Sequence, residues 1–200
     1  MSNNDKIVVM DSSSLFFSGL SIILKNSHRK IELTNFFKTK NDLYKYVSSH
    51  CVDMVITNVT HADKPFKAIK EIVAIKTAIP AVKIFVYSEE ENSFLIRMLF
   101  NIGVSAIVSR RESSAKLADF IYYAMQGEFV YSQLYIDSLA RDNQDKLTDL
   151  ELGVLLEFHN GLSLTRMSQM FHQSIKTISN SKYRAMKKLG ISDKLHLLSM

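Results

Sequence analysis

Residues 163–190 read SLTRMSQMFHQSIKTISNSKYRAMKKLG. Ser163 and Ser174 each stand just before a run with helical spacing, where a hydroxyl accepts from the unpaired backbone N–H groups of a helix's first turn. Leu164, Met167 and Phe171 share one face of the first run. With about 100° between successive residues, Ile178, Ala185 and Leu189 share one face of the second. Between the runs, His172 and Gln173 leave room only for a tight turn, and Gly190 is placed to stop the second helix. From Ser174 to Gly190 the chain carries Lys176, Lys182, Arg184, Lys187 and Lys188 and no acidic residue. Two short helices around a tight turn, the second strongly basic, describe a helix-turn-helix.

Working outward, Thr148 followed three residues on by Glu151 is a capping box that opens a helix ending near Gly161. Ser192 is placed to cap a last short helix, so residues 147–200 are expected as an all-α domain of four helices. Upstream, Arg141-Asp-Asn-Gln-Asp-Lys146 is a polar run with nothing to bury. It marks a boundary, and residues 127–146 are expected to be a linker with a short helix. The charge supports the division. From Asp145 onward eight basic residues stand against five acidic ones, whereas residues 1–144 are nearly balanced at 17 and 15.

The first 126 residues alternate between two periods. The β-rich runs 6–10, 30–33, 53–59, 83–88 and 105–109 are separated by segments of helical spacing at about 13–27, 40–49, 66–77, 90–102 and 113–126. Five strands alternating with five helices predict a flavodoxin-like domain of five parallel strands covered on both faces. In such sheets the functional crevice lies beyond the carboxyl ends of the strands. The residues there are Met10 and Asp11, Asn58, Ser88 and Arg110.

Composition excludes several classes. With 46% apolar and 22% charged residues in 200, the chain is neither a disordered tail nor a fibrous repeat. A lone Cys51 rules out an internal disulfide and is expected as a buried apolar residue rather than a nucleophile. Because the longest apolar stretch, 15–24, is about half a membrane span, a soluble cytoplasmic protein is expected, without membrane attachment. The six histidines show no metal-ligand spacing and the six glycines form no phosphate loop, so neither a metal nor another cofactor is expected.

The motif Leu147-Thr148, Glu151, Val154-Leu155, Gly161-Leu162-Ser163, Ser174–Ser179 through Lys188–Ile191 resembles the LuxR-type helix-turn-helix of the NarL/FixJ response regulators, and within that family the capsule-synthesis regulators and their auxiliary relatives. The resemblance implies that residues 1–126 are a receiver domain. Receivers of this family carry two acidic residues after the first strand, a phosphorylatable Asp after the third, a Ser or Thr after the fourth and a Lys after the fifth. Here Met10 and Asp11, Asn58, Ser88 and Arg110 stand at those positions, and only Asp11 and Ser88 fit. An amide cannot become an acyl phosphate, and Met10 removes a hard oxygen ligand. The site is therefore expected to be degenerate, with Asp11 paired to Arg110 and the Ser88 hydroxyl closing a turn.

On the second basic helix, Lys176, Asn180, Tyr183 and Lys187 fall opposite the apolar stripe, with Ser179 and Arg184 at its edges. Cations for phosphates next to an amide, an aromatic ring and a hydroxyl for base edges point to double-stranded DNA. The expected contact residues are Lys176, Thr177, Ser179, Asn180, Tyr183, Arg184, Lys187 and Lys188. The chain reads as a transcription regulator, not an enzyme. It would act without phosphorylation and use its receiver-like domain to form a homodimer or a heterodimer with a related regulator. A helix as apolar as Phe94-Leu95, Met98-Leu99-Phe100 is expected in the core or against such a partner. Two other readings stay open: a phosphorylation-responsive regulator, and a protein-only antagonist of a relative.

Overall fold

The computed structural model describes residues 6–59, 65–89, 93–140 and 147–188. The N-terminal part is a parallel sheet flanked by helices. Its elements are β1 (Ile7–Met10), α1 (Ser14–Lys25), β2 (Asn35–Phe37), α2 (Lys40–Val47), β3 (Met54–Thr57), α3 (Pro65–Ala78), β4 (Lys83–Ser88), α4 (Ser93–Ile102), β5 (Ala106–Ser109), α5 (Ser114–Met125), β6 (Val130–Tyr131) and α6 (Gln133–Ala140). The strand order is β2-β1-β3-β4-β5-β6. Alternation along each buried strand fills two layers. Ile7, Val9, Met54, Ile56, Phe85 and Val108 pack with α1 and α5 on one face. Val8, Val55, Ile84, Val86 and Ile107 pack with α2, α3 and α4 on the other.

Three expectations are corrected. The second strand lies at Asn35–Phe37, not at 30–33. Lys30 takes a left-handed φ of 48°, and the Ile31 N–H turns back to the Leu24 carbonyl at 3.2 Å, so this stretch closes α1 while Ile31 plugs the core. The sheet has six strands rather than five. Tyr131 pairs with Ile107, and the segment expected as a linker adds β6 and α6 to the sheet unit. α6 packs on α4, and Leu95, Met98 and Leu99 are fully buried in the core layer on that side of the sheet. Cys51 is exposed, because α2 ends at Val47 and the buried place before β3 goes to Val52.

The C-terminal part contains α7 (Asp149–His159), α8 (Leu164–Met170) and α9 (Ile175–Lys188). Its caps follow the sequence. The Glu151 N–H donates to Thr148 Oγ1 at 3.2 Å and the Thr148 N–H donates to Glu151 Oε2 at 2.9 Å. Ser163 and Ser174 accept from Arg166 and Thr177 at 3.3 and 3.0 Å. Gly161 adopts φ 81° after α7, a conformation that costs a glycine little. Leu189, Gly190, the helix expected after Ser192 and the polar run 141–146 lie outside the described residues. The core layer under α3 and α4 continues through Leu147, Val154, Leu155 and Phe158 to Met167, Ile178 and Ala185.

Candidate nucleic-acid interface and the strand-end pocket

α9 is two-faced because its sequence is. Ile178, Ser181 and Ala185 are buried where α9 meets α7 and α8. On the other side Lys176, Asn180, Tyr183, Arg184 and Lys187 are exposed, Tyr183 at 68% despite its ring. Thr177 and Ser179 lie half-buried at the edges, the Thr177 hydroxyl sharing a 2.9 Å hydrogen bond with that of Ser174.

Two of the cations on α9 are engaged within the fold. Lys188 donates to Glu151 Oε2 at 2.8 Å, the oxygen that also takes the Thr148 N–H. The Glu151 carboxyl is nearly buried. Burial pushes its pKa up, but the Lys188 ammonium and the Thr148 N–H outweigh that and hold it below the usual glutamate value. Lys182 lies 4.4 Å from the centre of the Phe158 ring. The outward cations are therefore Lys176, Arg184 and Lys187, while Lys188 braces α9 against the start of α7. Two further exposed residues were not singled out from the sequence: Arg166 in the first turn of α8, and Ile175 at the start of α9. A cation in the helix preceding the basic one was the available signal for Arg166. Ile175 gave none.

At the carboxyl end of the sheet, register sets the ends of β1, β3, β4 and β5 side by side, and contacts join Asp11, Ser88 and Arg110 among the five strand-end residues. Met10 aligns with Thr57 and Ser88 with Ser109. Met10 is buried in the core. Asp11 Oδ1 accepts the Ser13 N–H at 2.8 Å, and Oδ2 lies 3.7 Å from Arg110 Nη2. The Arg110 guanidinium is further held over the Phe16 ring at 4.3 Å and the Tyr87 ring at 5.7 Å, and its Nε donates to the Tyr87 carbonyl at 3.3 Å. Ser88 is fully buried and its hydroxyl donates to the Val59 carbonyl. The Ser88 carbonyl accepts from the Arg110 N–H and from the Tyr135 hydroxyl, each at 3.0 Å. Asn58 Oδ1 is buried without a hydrogen-bond partner among the described residues. The five strand-end residues thus offer one carboxylate, already facing a tethered guanidinium, and one neutral amide. Among the described residues no three acidic, histidine or cysteine side chains cluster as metal ligands.

No family model matches the chain. The transcriptional regulatory protein RcsB of Salmonella typhi is 25% identical over 206 residues, covering 98% of this chain and 94% of RcsB. The RcsB of Escherichia coli K12 matches to the same extent. The transcriptional regulatory protein ComA of Bacillus subtilis is 25% identical over 126 residues, 58% of this chain and 59% of ComA. Among solved structures, an RcsB–DNA complex aligns with TM-score 0.65 and 22% identity over 98% of this chain and 97% of that one. RcsB of Salmonella enterica serovar Typhimurium, bound to promoter P1flhDC in the presence of the phosphomimetic BeF3-, aligns with TM-score 0.65 and 24% identity over 98% of each chain. These likenesses establish the fold as a receiver-type α/β unit followed by a helix-turn-helix.

Proposed function

Because the chain is homologous to RcsB and ComA, which are response regulators of the NarL/FixJ type, we propose that it is a sequence-specific DNA-binding transcription regulator whose receiver-like unit takes no phosphate and serves dimerisation. It is a regulator, not an enzyme. The observation that carries the reading is the outward face of α9, where three cations, an amide and an aromatic ring stand exposed on a helix whose opposite face is buried. A helix enters the major groove of DNA with such a face leading.

Roles divide along that face. Lys176 and Lys187, near its two ends, carry flexible point charges suited to phosphates. Asn180 and Tyr183 lie between them, and an Asn side chain pairs with an adenine edge through both donor and acceptor. Asn180→Ala is expected to cost about 1–3 kcal/mol on a duplex enriched by the chain from a random-sequence pool, and little on scrambled DNA. Lys187→Ala is expected to weaken binding to both and to lower the salt slope by about one unit. Competition binding across salt concentrations separates them. Equal losses on both duplexes for the two variants would refute the division. Failure of the wild type to enrich any duplex would refute DNA binding itself and favour a protein-only antagonist.

The strand-end pocket supports phosphate independence. A divalent cation needs hard oxygen ligands and the phosphoryl group needs a carboxylate nucleophile. The Met10 side chain is buried in the core and carries no oxygen, Asn58 supplies an amide, and Asp11 already faces the Arg110 cation. The residues present do not fit a magnesium ion. The candidate surface for dimerisation is on α1, where Leu15 is 82% and Ile22 62% exposed, about two turns apart on a face that also carries Ser18 and Gly19. Acetyl phosphate with magnesium is expected to leave mass, melting temperature and oligomeric state unchanged. Sedimentation is expected to give a dimer at tens of micromolar that Ile22→Arg converts to monomer. A stoichiometric phosphoprotein would overturn the first part, and a wild-type monomer the second.

A further inference from the structure

α7 stands between the sheet unit and α9, and it meets them on different faces. Lys70 of α3 donates to Glu157 Oε1 at 3.0 Å, in an ion pair whose side chains are largely shielded from solvent. The Asn101 side chain of α4 accepts the Leu147 N–H at 2.8 Å, just ahead of the α7 cap. Leu147 is itself buried, and the core layer passes from Ile69 and Ile72 of α3 into Val154, Leu155 and Phe158 of α7. Glu151, six residues before Glu157 and about 120° away around the helix, instead holds Lys188 of α9. α9 is thus fastened through its inward side to a helix that is docked through another side. Lys176, Asn180, Tyr183, Arg184 and Lys187 remain exposed in the docked molecule.

We infer that the docked arrangement is itself competent to bind DNA, so that the sheet unit carries the recognition helix as a rigid outrigger and does not mask it. This rests on the reading of α9 as the DNA-contacting helix. Were the sheet unit laid over α9, DNA binding would require a signal to release it. Here the groove-facing side chains stand clear while the dock is closed, and a pocket that takes no phosphate has nothing to release. The same contacts then have a positive use, since a dimer held through the sheet unit positions its two recognition helices only if each is rigidly tied to that unit.

The test uses the full chain with Cys51→Ser, Lys70→Cys and Glu157→Cys, joined by a bis-maleimide whose spacer contains a reducible disulfide. The probe is the duplex enriched from a random-sequence pool by the unmodified chain. Cross-linked and cleaved protein are expected to bind it within about threefold of each other. A loss of about tenfold or more on cross-linking, recovered on cleavage, would overturn the inference while leaving the DNA-binding reading intact. A second variant needs no cross-link. Lys70→Glu sets like charges against Glu157 and loosens the dock, and its affinity is expected to stay unchanged or fall. Tighter binding would mean that the dock masks α9 and would overturn the inference. If the unmodified chain enriches no duplex, the reading of α9 falls, and this inference with it.

Discussion

Tyr135→Ala is expected to lower the unfolding free energy by about 3–5 kcal/mol, as truncation of a large, well-packed aromatic does. Tyr135 is 1% exposed, sits on α6, and donates its hydroxyl to the Ser88 carbonyl at the end of β4. Alanine leaves a cavity between α6 and the sheet and loosens the cover over α4. Tyr135→Phe keeps the ring and removes only the hydroxyl. It is expected to cost about 1 kcal/mol, because the Ser88 carbonyl retains the Arg110 N–H. Urea unfolding of the two variants checks both numbers. An alanine variant that unfolds at the wild-type midpoint would show that α6 is no part of the core.

That residue lies in a stretch expected to be a linker, and the reason is physical. A two-residue strand is too short to display a period, and α6 matters for the surface of α4 that it covers, which local sequence does not reveal. The second strand misled for a related reason. Ile31 and Leu33 alternate as a strand would, but a turn back onto α1 took Ile31, leaving the pairing with β1 to Asn35–Phe37. What was legible was local: the caps at Thr148, Ser163 and Ser174 reach only three residues along the chain. The positions of the strand-end residues were also legible, since parallel strands in register bring their ends together, and so was the opposite charge of Asp11 and Arg110. The clasp of Phe16 and Tyr87 on Arg110 was not, nor the reach of Lys188 across 37 residues to Glu151. Both depend on packing of elements far apart in sequence.

The Glu151–Lys188 contact gives the second large effect. Glu151→Ala removes the acceptor of the Thr148 N–H and the counter-charge of Lys188 together, and is expected to destabilise the C-terminal helices by about 2–4 kcal/mol. It frees the end of α9 at the same time, so DNA affinity is expected to fall along with the melting temperature. The contact also has a pH signature. A carboxyl whose folded pKa is lowered contributes its full stabilisation above its unfolded pKa, near 4.5, and loses it as pH falls towards the lower folded value. Glu151→Gln, which keeps the shape but does not titrate, is expected to flatten the acid side of the stability profile below pH 4.5. Thermal melts from pH 3 to 7 decide this. Identical acid limbs for the variant and the wild type would mean that Glu151 is not among the groups whose protonation unfolds the chain.

Strand order also sets a timetable for synthesis. β1 lies between β2 and β3, and each later strand adds beside the one before it, so the sheet is free to grow in the order in which the ribosome delivers it. α4 is the member left waiting. It is complete at Ile102, but the helix that covers it ends only at Ala140. At about 5–20 residues per second, the part of α4 that α6 covers stays bare for roughly 2–8 s. A chaperone or a neighbouring nascent chain meets the molecule in that interval, and slower translation between the two helices lengthens it in proportion.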